Sequence, residues 1–142
     1  MQSPEQLVLK FHQKYGHLIS NNPNAHIPGH IKDLRKNLIQ EEFNELMLAL
    51  KENNLVEIAD GLADLVYVVV GTAISYGIPF DRIFLEVHNS NMTKTPSKAY
   101  EGQKYGKVNP KGPDFKKPEI DQILRQPYLS TELEKINDSE KV

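Results

Sequence analysis

Apolar residues recur at helical spacing in four stretches of the 142-residue chain. In the first, Leu7, Val8, Phe11 and Tyr15 share one face. Ser3 can cap this helix, Pro4 suits its first turn, and Gly16 ends it. His17 to Gly29 reads as a loop, rich in Asn and holding Pro23 and Pro28. Long ordered loops often border active sites, so this one is expected near the site. A second helix is expected from about Ile31 to Glu52, with Ile39, Phe43, Leu46 and Leu50 as its apolar stripe. After the polar connector Lys51 to Asn54, a third runs from about Leu55 to Tyr76. Its β-branched run also fits a buried strand. The periodic acidic segment directly before it, with no turn between, decides for helix. Gly77-Ile78-Pro79 breaks the chain, and Phe80 to Met92 forms a fourth helix around Ile83, Phe84 and Val87.

From Thr95 to Pro118 the periodicity stops. Lys98, Lys104, Lys107, Lys111, Lys116 and Lys117 alternate with Gly, Pro and two Tyr, which reads as a lid or arm, with a disordered linker as the alternative. A short helix, Glu119 to Arg125, follows, and the charged tail from Gln126 is expected to be partly disordered. The expectation is an all-α, four-helix-bundle-like fold: a single domain over residues 1–125, with the arm and short extra helix, and a tail over 126–142. The third helix changes this picture. Leu65 to Ile74 is apolar almost all round, which a monomer of four or five helices can hardly surround. A subunit interface is therefore expected.

Composition narrows the class. Hydrophobic content of 39% and charged content of 25% are ordinary for a soluble protein. A net charge of −2 gives no footprint for non-specific nucleic-acid binding. The absence of cysteine excludes disulfides and thiolate metal sites, and leans toward the cytoplasm. The N-terminal segment has no long apolar core and does not read as a signal peptide. The longest apolar run, Leu65 to Val70, is too short to span a membrane.

The chemistry lies in two acidic clusters. Glu41, Glu42 and Glu45 fall on neighbouring rows of one helix face, with Glu42 at the edge of the buried stripe. Glu57, Asp60 and Asp64 share one face of the next helix. Like charges so placed repel, and no run of Lys or Arg offsets them. A hard cation with oxygen ligands, Mg²⁺ above all, would. Gly61 inside the helix costs about 1 kcal/mol relative to alanine, so close approach of a helix, metal or ligand is expected there. Arg35, seven residues before Glu42, either pairs with a carboxylate or contacts phosphate. His12, His26 and His30 read as surface, boundary or loop residues rather than ligands.

These clusters resemble the all-α nucleoside triphosphate pyrophosphatase superfamily, which includes MazG, phosphoribosyl-ATP pyrophosphohydrolase and the dimeric dUTPases. Its signature is ExxE on one helix and ExxD on the next. Glu42-Phe-Asn-Glu45 matches the first half, and Asp64-Leu-Val-Tyr67 the end of the second. In that register Gly61 stands where the family has Glu, so Asp60 or Glu57 would replace it. The segment Glu86 to Lys94, EVHNSNMTK, is similar to the one that closes the bundle in these relatives. The resemblance implies a dimer or tetramer that uses Mg²⁺, with Mn²⁺ as a substitute, to cleave the α–β phosphoanhydride of a nucleoside triphosphate. Glu42, Glu45, Asp60 and Asp64 would hold metal, and Glu41 or Glu57 would orient or deprotonate water. Asn91, Lys94, Lys107 and Arg35 would bind the substrate. Phosphoribosyl-ATP hydrolysis is the nearest rival. A di-iron carboxylate bundle needs ExxH motifs, and no histidine lies three residues after a Glu. A helical interaction module with an acidic face is the non-enzymatic alternative.

Overall fold

The computed structural model describes residues 1–95 and 111–125. Within them the protein is all-α, with helices α1 (Pro4–Tyr15), α2 (Gly29–Glu52), α3 (Leu55–Ser75), α4 (Phe80–Asn91) and the short α5 (Ile120–Leu124). Most of the expected arm, with Lys98, Lys104 and Lys107, and the tail from Gln126 lie outside the described residues.

Local chemistry accounts for the helix ends. Ser3 caps α1 in a capping box with Gln6, and Gly16 closes it in the left-handed conformation. Asn53 ends α2 in the same conformation with φ 54°, and the Asn54 side chain accepts from the Glu57 N–H to start α3. Two asparagines therefore make the whole hairpin turn. The hairpin legs pack so closely that a Cβ at Gly61 would meet the Leu46 backbone at 3.3 Å. The glycine inside the helix is thus explained by a neighbouring helix.

α3 is the central element, touching α2, α1 and α4. Its length and a mean hydropathy of 1.6 match those of a membrane-crossing helix, although its longest unbroken apolar run is short. Here it serves as the spine of the bundle. Val70 and Ile74 meet Val8 and Leu9 of α1, with Ile19 and Phe80 packed against them. The loop after α1 is stitched to the far end of α3. Ser20 N–H donates to Ile74 O at 3.2 Å and Asn24 N–H to Tyr76 O at 2.9 Å. The Ser20 hydroxyl donates to Ser75 O at 2.7 Å. These bonds satisfy carbonyls that a helix end leaves unpaired.

The buried faces differ from those expected. On α1 the inward residues are Glu5, Val8, Leu9 and His12, while Leu7, Phe11 and Tyr15 are exposed. Polar residues can turn inward because each has a partner: Glu5 accepts from the Asp81 N–H at the start of α4, and His12 bonds Leu18 O. On α2, Leu46 is buried as expected, but Phe43 and Leu50 are exposed and Arg35 is buried. Phe84 of α4 is also exposed. Of these, Phe84 and Leu7 edge two hollows beside α3. One of about 670 Å³ is lined by Leu65, Val66, Val69, Phe80 and Phe84. The other, of about 510 Å³, is lined by Leu7, Leu62, Val66 and Tyr67 among others.

Candidate active site

α2 and α3 bring carboxylates from both clusters together. Glu42 is half-buried, and its Oε2 is sealed from solvent with no hydrogen-bond partner. Burial pushes its carboxyl above the usual carboxylate range. The charges of Glu45, Asp64 and Glu41, and a hydrogen bond shared with the Glu45 carboxyl, push it further. Asp64 is therefore the α3 carboxylate felt at Glu42. Asp60 and Glu57 are exposed and are not among the groups that act on it. Among the described residues, no three acidic or histidine side chains converge into a ready-made metal cage. The cluster is electrostatic, concentrated around one unpartnered oxygen.

A carboxylate oxygen without water or donor is costly to hold ionised. A divalent cation with oxygen ligands would relieve both the repulsion and the unpaired oxygen. Glu42, Glu45 and Asp64, with Glu41 beside them, supply oxygen donors of the chemical kind such an ion takes, although no three of them converge on one point.

Toward the other end of the same two helices lies the opposite arrangement. Arg35 is buried, and no carboxylate pairs with it among the described residues. Its Nε donates to Thr72 Oγ1 at 3.2 Å and its Nη2 to Val68 O at 3.0 Å. The carboxylate expected as one of its two alternative partners does not occupy these donors. Gly71 makes the room: a Cβ there would stand 2.5 Å from Arg35 Nη2 and 2.9 Å from His12 Nε2.

His12 Nδ1 lies 3.1 Å from Leu18 O, so it carries the proton and Nε2 is an acceptor. Burial lowers the His12 pKa to about 4 despite that bond, and the charge of Arg35 adds to the effect. A pocket of about 220 Å³ opens here, lined by Phe11, His12, His17, Arg35, Leu38, Tyr67 and Val68. Phe11 stacks on His17 with centroids 5.5 Å apart and meets Tyr67 edge-on. His12 is a satisfied histidine, as its place beside the apolar stripe suggests, but it lies deeper than the expected boundary position because a backbone carbonyl of the following loop is its partner.

The last turn of α4 holds Asn91, exposed, and Lys94, half-buried just beyond it. No hydrogen bond or ion pair among the described residues ties either side chain to the carboxylates. Lys107 lies outside the described residues.

Comparison with known proteins bears on the same four helices. The pattern of the phosphoribosyl-ATP pyrophosphohydrolase family matches residues 8–91, from α1 to the end of α4. The chain belongs to that family. The match takes in the carboxylate cluster and Arg35 and reaches Asn91, but stops before Lys94. An uncharacterized protein of Acanthamoeba polyphaga mimivirus is 38% identical over 85 residues, covering 54% of this chain and 32% of the relative. The chain thus spans about a third of the length of the curated relative it matches.

Proposed function

We propose that the protein is a Mg²⁺-dependent nucleoside triphosphate pyrophosphohydrolase, converting its substrate to a nucleoside monophosphate and pyrophosphate. The observation that carries this reading is the sealed, unpartnered Oε2 of Glu42 among like charges from two helices. Glu42, Glu45 and Asp64 would hold the metal, with Asp60 or Glu57 completing the set. Bound there, Mg²⁺ would supply charge neutralisation for the triphosphate and Lewis acidity, and Mn²⁺ is the natural substitute.

The remaining work falls to the chain's own groups. Glu41, exposed beside the cluster, orients and deprotonates the attacking water, and Glu57 is its alternative. Asn91 and Lys94 donate to phosphate oxygens as charge moves to the leaving group, and Lys107 adds a cation. The pocket above Arg35 is walled by Phe11 and Tyr67 and suits the flat base of a nucleotide. Its position supports this use, since Val68 and Leu38 each lie one helical turn from Asp64 and Glu42. Arg35 would contact the substrate there as part of the wall. The two apolar hollows beside α3 support a homodimer or homotetramer.

The family match favours a second reading, in which the substrate is phosphoribosyl-ATP. Both are tested by a panel of ribo- and deoxyribonucleoside triphosphates, dUTP included, beside phosphoribosyl-ATP. Pyrophosphate release is measured with Mg²⁺ and with EDTA. The proposal expects metal-dependent release from at least one nucleoside triphosphate. Turnover of phosphoribosyl-ATP alone would replace it with the second reading, and no release from any substrate would sink both.

A further inference from the structure

One face of α4 is tied to the chain that returns after residue 110. Glu86, Ser90 and Thr93 fall on a single row of that helix and its final turn. Each bonds backbone rather than side chain. The Glu119 N–H donates to Glu86 Oε1 at 2.9 Å. The Ser90 hydroxyl donates to Lys116 O at 2.7 Å, and the Lys116 N–H donates to Thr93 Oγ1 at 2.8 Å. The Thr93 hydroxyl spends its own proton on Ser90 O at 2.7 Å, so its lone pair is free to accept. Lys116 therefore has both backbone groups held by side chains of α4 and the turn that follows it, and Ser90 is buried. Nearby, a Cβ on Gly112 would collide with the Thr95 hydroxyl. The returning chain thus touches the bundle at Thr95, Thr93, Ser90 and Glu86.

These anchors bracket the two candidate phosphate ligands of α4. Asn91 follows Ser90, and Lys94 sits between Thr93 and Thr95. Helix ends fray, and the carbonyls of a C-terminal turn repel anions. A phosphate site there needs its cation held in place. We propose that the segment from Gly112 to Glu119 is a fixed strap over the end of α4. In this arrangement Ser90 and Thr93 are positioning residues that hold Asn91 and Lys94 for the substrate phosphates. This inference rests on the nucleotide reading above.

The test uses the full chain carrying Thr93→Val, Thr93→Ser, Ser90→Ala or Lys94→Ala. Steady-state kinetics on the best triphosphate are paired with amide hydrogen exchange over residues 91–95. Thr93→Val keeps the shape and removes both bonds. It should raise KM about three- to tenfold, leave kcat within about twofold, and speed exchange in the last turn. Ser90→Ala should act in the same direction, and Thr93→Ser should match the wild type. Unchanged exchange in Thr93→Val and Ser90→Ala would overturn the strap. Faster exchange with unchanged KM would overturn the positioning role and leave a purely structural one. A raised KM in Lys94→Ala with none in Thr93→Val would do the same. If the wild type hydrolyses no nucleotide, the functional reading fails and takes the positioning role with it. The exchange result then still decides whether the strap holds the helix end.

Discussion

The two ends of the α2–α3 pair present opposite electrostatic problems. At one, Arg35 is a buried cation, and every contact around it is neutral: a hydroxyl, a helix carbonyl and a histidine kept uncharged. Gly71 supplies the space, so the charge is accommodated with the groups already present. At the other, Glu42 is a half-buried anion among anions, with one oxygen that bonds nothing. Buried charges are normally paired or bound to metal. The first end is finished by the fold, and the second leaves one carboxylate oxygen unpartnered, which the proposed cation would satisfy.

The largest expected effect is at the unfinished end. Glu45→Gln keeps shape and removes charge, and should lower pyrophosphate release about 100-fold or more. The same change should leave the metal-free thermal midpoint equal or slightly higher, since one repelling charge is gone. Full activity would remove Glu45 from the metal set.

Asp64→Asn and Asp60→Asn sharpen which α3 carboxylate completes that end. Asp64 acts on Glu42 and Asp60 does not. Asp64→Asn should therefore raise the Mg²⁺ needed for half-maximal activity about tenfold or more, with a smaller rise for Asp60→Asn. The reverse order would move the metal toward the first turns of α3, with Glu57→Gln then the next variant to measure.

The finished end breaks through Gly71→Ala. The added methyl meets the guanidinium and the imidazole together, a clash expected to cost about 1–3 kcal/mol. A fall in the thermal midpoint of roughly 5–10 °C follows. A midpoint equal to the wild type would mean that Arg35 can leave its place freely.

The smallest effect is a pair of opposite pH responses in metal-free protein. His12 has a folded pKa of about 4 against 6.5 unfolded. Its contribution to stability is present above 6.5 and is lost as pH falls toward 4. The Glu42 pKa is raised, so its contribution is present below the ordinary carboxylate range and is lost as pH rises through the raised value. His12→Asn should flatten the acid side of the midpoint–pH curve. Glu42→Gln should raise the curve above the carboxylate range, and added Mg²⁺ should do so only with Glu42 present.

What the sequence made legible follows the range of the interactions. Ser3, Gly16 and the Asn53–Asn54 turn act on their own neighbours, so composition alone located them. The edge position of Glu42 follows from helical period, and the close approach at Gly61 from the cost of glycine in a helix. The buried face of α1 was not legible. Glu5 turns inward for a backbone N–H at Asp81, distant in sequence, and no periodicity announces such a partner. Arg35 was read through its seven-residue spacing from Glu42. Its actual partners are Thr72 and Val68 on α3, one a backbone carbonyl that carries no sequence signal. Phe43, Leu50 and Phe84 are exposed although their spacing predicts core, because spacing marks an apolar face without saying what covers it.

The two-asparagine turn between α2 and α3 also bears on the order in which the molecule assembles. Its legs are neighbours in sequence, so their contacts close a short loop at small entropic cost. The contacts of α3 with α1 must instead draw in a helix separated from it by the loop and the whole of α2. The hairpin that carries Glu42 and Asp64 is therefore expected to zip first, and the docking of Val8 and Leu9 to come late. Kinetic φ-values near Leu46 should exceed those at Val8 and Leu9. A chain emerging from synthesis would then hold its acidic hairpin together, open to cation capture, while the seat of Arg35 is still waiting for its lid of α1.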